Sequence, residues 1–212
     1  MSDAATWPEA AAKFVRDIGA SQTRLEDVER FRLMLIETNR RMNLVGDSTL
    51  ADFWTRHFLD SAQLLALAPE ARTWADLGAG AGFPGLVLAI LLADAPGTRV
   101  HLVESVAKRC RFLAEVVQAL GLPAEIHHAR AEHLPLQVEV VTARACAPLT
   151  RLLAFARPTL KRHTKGLFLK GAEVDTEVAE ARKSWRFELA IHPSLSDPRG
   201  RVLELTELAR VR

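Results

Sequence analysis

The sequence predicts an α/β protein with a doubly wound, mostly parallel sheet of seven strands. From residue 71 onwards, short β-prone runs alternate with segments of helical periodicity, which is the pattern of parallel strands covered by helices. The last two β-prone runs have a turn-rich connection instead of a helix between them, so they predict an antiparallel pair. The part before residue 71 carries helical patterns alone and predicts an N-terminal helical extension.

The extension is predicted to contain three helices. Pro8 suits the start of the first helix and Gly19 its end. The second helix carries an apolar stripe with a spacing of three to four residues. Thr49 and Asp52 resemble a capping box that begins the third helix, which Pro69 ends. We therefore expect residues 1–70 to pack as an extension on a domain that spans residues 71–212.

The predicted strands follow in order along that domain. Five β-prone runs cover residues 73–77, 100–104, 124–127, 138–142 and 166–170. Helical patterns lie between and after them, near residues 84–93, 106–120, 147–162 and 173–184. The final pair covers residues 187–192 and 202–210, joined by the turn-rich stretch PSLSDPRG. The count of seven strands comes from these runs.

Composition and length restrict the class of protein. Of 212 residues, 49% are hydrophobic and 25% are charged, which is an ordinary globular balance. Two cysteines, Cys110 and Cys146, cannot build a disulfide framework, so a reducing compartment is expected. The longest apolar run, residues 86–93, is far shorter than the ~20 residues that a membrane span needs. The N-terminus lacks the pattern of a signal peptide. We expect a cytoplasmic protein that does not bind membranes and, since no long apolar stripe is left unassigned, a monomer.

A glycine-rich loop, DLGAGAGFPG at residues 76–85, connects the first predicted strand to the next helix. Glycines such as Gly78 and Gly80 tolerate positive φ and let a ligand approach the backbone closely. The following helix presents unpaired N–H groups at its start. The loop therefore predicts a site for a nucleotide-like cofactor.

The register of the glycines bears on which cofactor this is. Residues 80–85 match G-x-G-x-x-G, but the first glycine after the strand is Gly78. In that register Asp76 precedes G-x-G by two residues, and its carboxylate suits a cationic group such as the amino group of a methionine moiety. Glu104 ends the second strand, where an acid can bind both ribose hydroxyls. Ala131 and Glu132 follow the third strand, where they would reach an adenine. For both Glu104 and Glu132 the alternative is an ordinary carboxylate at the entry of a helix. A P-loop is excluded because no Lys-Ser/Thr follows the glycines.

The stretch between residues 140 and 170 contains seven cationic residues and no acidic residue. Such a run produces a local positive field. It predicts a surface for a polyanion, with a solvated helix face as the alternative. The seven cations are Arg144, Arg151, Arg157, Lys161, Arg162, Lys165 and Lys170.

These motifs together resemble the class I S-adenosylmethionine-dependent methyltransferases, with their Rossmann-like sheet. In order along the chain, DLGAGAGFPGLVLAI, HLVESVAKRCRFL, RAE, VTARACAPL and LFLKG resemble the ribosomal RNA small-subunit methyltransferase G family, also called glucose-inhibited division protein B. Upstream, MNLVGD and RHFLDS resemble the N-terminal helical region of that family. The resemblance covers roughly residues 40–171.

The resemblance implies an enzyme that transfers a methyl group from S-adenosylmethionine to N7 of one guanine near the decoding region of 16S rRNA. The partner would be 16S rRNA or the 30S subunit. It implies cofactor contacts that add to those expected at Asp76, Gly80 and Glu104. Arg144 would end the fourth strand where the substrate approaches the methyl group, and is the candidate catalytic residue. The implied contacts are Gly78, Phe83, Ala131, Glu132 and Arg144.

The residues are compatible with that chemistry. N7 of guanine has a lone pair and no proton, so methyl transfer needs alignment and no general base. An arginine can address O6 of guanine, which favours a positioning role for Arg144, with a structural salt bridge as the alternative. His57 and Asp60 lie three apart on one helix face and belong either to the mouth of the active site or to a helix-packing pair. The residues expected to meet RNA phosphates are Arg151, Lys161, Arg162, Lys165 and Lys170.

Other functions stay open at this point. A methyltransferase that acts on a small molecule or a protein would share the same motifs. A nicotinamide-dependent oxidoreductase would use the G-x-G-x-x-G match, and a non-enzymatic RNA-binding module would keep the fold without turnover. No metal is expected, because the histidines in this part of the chain have no cysteine partners and no spacing typical of a metal-ligand motif. These histidines are His127, His128 and His133.

Overall fold

A single mixed sheet lies at the centre of the computed structural model, which describes residues 8–211. Within that range seven strands have the order β3-β2-β1-β4-β5-β7-β6. The first five strands run parallel to one another, and β7 runs antiparallel to both β5 and β6. The predicted fold class is confirmed. The strands are β1 (Thr73–Leu77), β2 (Arg99–Glu104), β3 (Ala124–His128), β4 (Val140–Arg144), β5 (Lys165–Lys170), β6 (Trp185–Pro193) and β7 (Arg201–Arg210).

Helices precede the sheet and connect its strands. Those of the N-terminal part are α1 (Glu9–Asp17), α2 (Gln22–Met42), α3 (Asp47–Leu50), α4 (Asp60–Ala62) and α5 (Leu64–Leu67), with a π-helical segment (Trp54–Leu59) between α3 and α4. Those of the sheet domain are α6 (Gly85–Leu91), α7 (Ala107–Leu120), α8 (Leu149–Ala156) and α9 (Val174–Arg182), with a 3₁₀ turn (Ala131–His133) after β3. No helix in the described chain is both long enough and apolar enough to span a bilayer.

The prediction of one continuous third helix in the extension is wrong. Instead of one helix that begins at a capping box, the chain forms α3, the π-helical segment, α4 and α5. The capping box does not form, because Gly46 precedes α3 and the Thr49 hydroxyl donates to the Gly46 carbonyl at 2.7 Å. Segments of π-helix are rare and occur often at functional sites. Here the π-helical segment contains His57, which the sequence assigned, with Asp60, either to the mouth of the active site or to a helix-packing pair.

The extension and the sheet domain share one hydrophobic core. Phe31 of α2 is fully buried, and its ring centroid lies 5.3 Å from that of Phe83 in the glycine loop. The rings of Phe53 and Phe112 lie 6.2 and 6.5 Å from it. Aromatic pairs at such distances stabilise a core beyond the area that they bury. The change from helices to strands near residue 70 therefore does not coincide with a gap in packing.

The topology places a crevice between β1 and β4. The chain passes from β1 to β2 and β3 on one side, and from β4 to β5 on the other, so the strand order reverses between β1 and β4. Ligands of open α/β sheets bind at such a switch point, outside the carboxyl ends of the strands. Leu77 ends β1 and Arg144 ends β4 at this edge.

Candidate active site

Two cavities lie side by side at the switch point. The smaller, of about 340 Å³, lies over the ends of β1, β2 and β3, and we call it the small cavity. The larger, of about 910 Å³, lies between the end of β4, the π-helical segment and the β6–β7 loop, and we call it the large cavity. Ala145 borders both cavities and has φ +49°, a conformation that costs a non-glycine residue energy. The chain therefore turns sharply where the two cavities meet.

The glycine loop forms one wall of the small cavity and is held by the end of β2. The backbone N–H groups of Gly78 and Ala79 both donate to the Val103 carbonyl, at 2.8 and 3.0 Å. Gly80 N–H donates to the Glu104 carboxylate at 3.0 Å. Gly78 has φ +73°, and a Cβ added there would lie 2.8 Å from Cys146 Sγ on the opposite wall. The loop therefore approaches the segment that follows β4 more closely than a side chain at Gly78 would allow.

Four of the residues predicted to bind cofactor line the small cavity together. They are Gly78, Glu104, Ala131 and Glu132. Glu104 is 4% exposed, and its second oxygen accepts from Val106 N–H at 2.8 Å. A carboxylate has about four lone-pair positions, so Glu104 can accept further hydrogen bonds from a ligand. Gly80 does not line the small cavity itself, but its N–H donates to Glu104, which does.

Asp76 lies beneath the loop and is not among the described residues that line either cavity. Its Oδ2 accepts from Gly85 N–H at 2.9 Å, and its Oδ1 accepts from the Thr142 hydroxyl at 3.3 Å. Gly85 begins α6, so this bond sets where the helix starts. Burial raises the pKa of Asp76 to about 7, against the opposing effect of these two hydrogen bonds. The contacts that the structure shows for Asp76 fix the loop and the start of α6, and its contact with a cofactor stays a prediction.

Arg144 lines the large cavity rather than the small one. Its guanidinium donates to the Arg56 carbonyl at 2.8 Å, to the Asp60 carboxylate at 3.3 Å and to His57 Nδ1 at 2.9 Å. It also lies over the Phe83 ring, 4.7 Å from the centroid. Among the described residues these contacts use three of its five N–H donors, so two are left for a ligand.

His57 and Asp60 both line the large cavity, which favours the interpretation that places the pair at the mouth of the active site. Burial and, to a smaller extent, the positive charges of Arg144 and Arg56 together lower the pKa of His57 to about 3. His57 is therefore neutral and accepts from Arg144 through Nδ1, while Nε2 donates to the Thr49 hydroxyl at 3.0 Å. The His57 ring stacks on Phe83 at 4.6 Å. Phe83 thus supports both side chains from below without lining either cavity.

The β6–β7 loop is a part of the site that sequence reasoning did not identify. The Ser196 hydroxyl donates to Asp60 Oδ1 at 2.6 Å, and Leu195 N–H donates to the Gln63 side chain at 2.8 Å. Ser196 and Gly200 line the large cavity. The stretch PSLSDPRG carried turn signals alone, and these give no information about what a loop contacts. The β6–β7 loop lies at the site because β7 runs antiparallel to β5, which places the start of β7 beside the carboxyl end of β5.

A family model described as rRNA small subunit methyltransferase G matches residues 24–201. A curated protein of Caulobacter vibrioides, "Ribosomal RNA small subunit methyltransferase G", is 58% identical over 213 residues and covers 99% of both chains. A protein of the same name from Bradyrhizobium sp. strain ORS 278 is 45% identical and covers 86% of this chain and 84% of its own. The chain belongs to the rRNA small subunit methyltransferase G family. The resemblance stated from the sequence motifs is confirmed.

Solved structures agree with this family in fold. A "SAM dependent methyltransferase from Aquifex aeolicus" has a TM-score of 0.53 at 16% identity, over 70% of this chain and 89% of its own. A structure of a mutant of "MtNAS in complex with S-ADENOSYLMETHIONINE" has a TM-score of 0.57 at 15% identity, over 87% of this chain and 76% of its own. At such identities the likeness shows the fold alone.

In this family member, the predicted basic stretch does not form one continuous surface. Lys165 Nζ lies 2.7 Å from the Glu204 carboxylate, and Lys170 Nζ lies 2.6 Å from that of Glu177. The side chain of Lys170 is 8% exposed. The stretch itself contains no acid, but β7 and α9 bring acids to these two lysines from outside it, and the binding of the lysines to RNA stays a prediction.

The other predicted RNA-binding residues divide between two edges of the sheet. Lys161 and Arg162 are exposed just before β5 begins, at the edge opposite the cavities. Arg151 lines the small cavity and stacks on Phe155 at 5.2 Å. Their binding to RNA stays a prediction. The structure adds Arg56, which lines the large cavity and was not predicted to face a ligand.

The raised pKa of Asp76 predicts a specific pH dependence of stability. The folded protein binds this proton more tightly than the unfolded chain, so the contribution of Asp76 to the free energy of unfolding falls as pH rises from about 4 to about 7. An Asp76→Asn variant removes this titration, and its amide oxygen can still accept from Gly85 N–H while its NH2 group donates to the Thr142 hydroxyl. Relative to the wild type, the unfolding free energy of Asp76→Asn should therefore rise by a few kcal/mol as the pH rises from about 4 to about 7.

Denaturant unfolding of the protein without ligand, at several pH values, measures this difference. The control is Asp175→Asn, which removes an exposed carboxylate in α9. Its curve is expected to follow the wild type throughout. Parallel curves for Asp76→Asn and the wild type would contradict the assignment.

Proposed function

We propose that this chain transfers the methyl group of S-adenosylmethionine to N7 of a guanine in 16S rRNA. The observation that supports this most directly is the pair of adjoining cavities at the switch point, with Ala145 between them. One cavity suits a cofactor and the other a substrate base. The family to which the chain belongs is named for methylation of small-subunit rRNA.

The small cavity fits S-adenosylmethionine by its donors and acceptors. Glu104 would accept from the two ribose hydroxyls, as an acid at the end of the second strand does in doubly wound folds. Ala131 and Glu132 line the cavity where an adenine would lie. Gly78 leaves room that a Cβ would fill, since that atom would lie 2.8 Å from Cys146 Sγ. Asp76, in this proposal, fixes the start of α6 and thereby the shape of the loop.

When bound, S-adenosylmethionine supplies an electrophilic methyl group on sulfur. The protein must then align N7 with that group and keep water out, because N7 carries a lone pair and no proton. Arg144 is placed for this alignment. Its remaining N–H donors can address O6 of the guanine, while its other donors fix the guanidinium on the Phe83 ring.

Methyl transfer to N7 needs no general base, because N7 carries no proton. His57 keeps its lone pair on Nδ1 engaged with Arg144, and its low pKa makes it neutral. Burial raises the pKa of the Cys146 thiol, and the charges of Asp76 and Glu104 raise it further. A protonated thiol is a poor nucleophile, which argues against a covalent mechanism at Cys146.

The large cavity has the character of a site for an RNA base. It is open to solvent, and both Arg56 and Arg144 face it. Proteins read RNA mostly at unpaired bases whose edges are free, and a base that leaves its stack needs a pocket with polar partners. Phosphates near the base would meet Arg56 and, beyond Ala145, Arg151.

Methyl transfer from labelled S-adenosylmethionine tests the function directly. The substrates are 30S particles and naked 16S rRNA from cells that lack the enzyme, followed by digestion to nucleosides. We expect label in N7-methylguanosine at one position. Label in another nucleoside would contradict the N7 assignment, and no label in either substrate, with cofactor binding verified, would contradict the RNA substrate.

A substitution at Gly78 tests the cofactor site. Both Gly78 and Gly97 have positive φ, +73° and +79°, so alanine costs about 1 kcal/mol of strain at each. Nothing lies within 4 Å of a Cβ added at Gly97, whereas at Gly78 it meets Cys146. We expect Gly78→Ala to weaken S-adenosylmethionine binding at least about tenfold in calorimetry, and Gly97→Ala to bind like the wild type. Equal affinities would remove Gly78 from the cofactor site.

A substitution at Arg144 tests the separation of the two cavities. Because Arg144 lines the substrate side, we expect Arg144→Gln to lower turnover by about a hundredfold while the affinity for S-adenosylmethionine stays near that of the wild type. The matched control is Arg182→Gln, since Arg182 stacks on Phe187 at 4.8 Å in the same way on α9. Turnover of Arg144→Gln equal to that of the control would exclude Arg144 from catalysis.

A further inference from the structure

Three side chains on β2 and β3 converge on one point away from both cavities. The parallel register pairs His101 with Glu125 and Val103 with His127. Because successive side chains alternate between the two faces of a sheet, His101, Glu125 and His127 all lie on one face. No sequence motif indicated this group, since His101 and His127 are separated by more than twenty residues and only their strands bring them together.

The facing atoms of this group lie close to the separations that a metal ion needs. His101 Nδ1 and His127 Nε2 are 2.9 Å apart and share a hydrogen bond. Glu125 Oε2 lies 3.6 Å from His101 Nδ1, and Glu125 Oε1 lies 3.7 Å from His127 Nε2. Ligand atoms on a tetrahedron around zinc, with bonds of about 2.0–2.1 Å, are separated by roughly 3.3–3.4 Å. An ion would therefore replace the hydrogen bond between the two rings, and their facing nitrogens would separate by about half an ångström.

We propose that His101, Glu125 and His127 bind one divalent transition-metal ion of the zinc type. Two imidazoles and a carboxylate suit such an ion better than magnesium or calcium, which prefer oxygen ligands alone. Three protein ligands leave a fourth position for water. The expectation that the chain holds no metal is revised at this group, because His101 supplies the partner that His127 lacks in sequence.

Burial supports a defined site with a path to solvent. The side chains of His101 and His127 are 11% and 17% exposed, so their rings are held by packing. That of Glu125 is 58% exposed, so an ion can enter on its side. Each histidine can present the facing nitrogen as a lone pair by carrying its proton on the other nitrogen.

The ion would act as a clamp on the edge of the sheet. β3 lies at the edge of the sheet and pairs with β2. His101 lies three residues before Glu104, and His127 lies two residues before Ala129, both of which line the small cavity. The site is thus close to the cofactor wall but separate from the reacting groups, and its test does not depend on methyl transfer.

Zinc binding to the untagged protein tests the proposal, after dialysis against a chelator. A Cys146→Ser background removes the thiol that lines the small cavity as a competing ligand. Competition with a chromophoric chelator measures the affinity for Zn²⁺. We expect one equivalent to bind, with a loss of about tenfold or more in His101→Gln and in His127→Gln. The control is His128→Gln, whose imidazole lies next in the chain and contacts the Ser105 carbonyl instead. It should bind zinc like the parent.

A second variant keeps the test valid if a histidine substitution harms the fold. Glu125 is exposed, so Glu125→Gln should fold normally and yet bind Zn²⁺ more weakly than the parent. Zinc should raise the Tm of the parent and of His128→Gln, and raise it less in the other three variants. Absence of saturable binding in the parent, or equal affinity in the parent and in folded His127→Gln or Glu125→Gln, would overturn the site.

Discussion

The geometry of the large cavity depends on how the guanidinium of Arg144 is held at the end of β4. It joins the π-helical segment through the Arg56 carbonyl and His57, α4 through Asp60, and the glycine loop through the ring of Phe83. Asp60 in turn accepts from Ser196, so the β6–β7 loop belongs to the same network. A single cation thus connects the helical extension, the cofactor loop and the C-terminal hairpin around the substrate side.

A guanidinium can be buried only if neighbouring groups accept its hydrogen bonds and balance its charge. Removal of a charge from water costs several kcal/mol, which a lone carboxylate does not reliably offset. Here a carboxylate, a carbonyl, a neutral imidazole and an aromatic face surround one planar group, and arginine suits this arrangement better than lysine because its donors are fixed in direction. The low pKa of His57 is part of the same arrangement, since a protonated imidazole could not accept from Arg144. The π-helical segment supplies His57 and the Arg56 carbonyl on the side that faces β4.

Most of the sheet could be predicted, because strand and helix periodicities are local properties of the chain. The first strand was predicted at its observed limits, and β4 was displaced by two residues, from 138–142 to Val140–Arg144. The displacement arises because apolar residues before the strand, such as Val138, are buried without pairing. The third helix of the extension could not be predicted as it occurs. Its apolar spacing is helical, but the contacts with Arg144 and Phe83 that accompany the π-helical segment come from remote parts of the chain.

By itself, the sequence determined the α/β class, the glycine loop and the wall of the small cavity formed by Gly78, Glu104, Ala131 and Glu132. These residues stand at strand ends, and the ends of parallel strands meet at one edge by topology. Only the tertiary structure decided that Asp76 supports the loop from below, that Lys165 and Lys170 pair with Glu204 and Glu177, and that His101 faces His127. Each of these depends on the direction of a side chain and on partners distant in sequence. Local pattern carries no information about either.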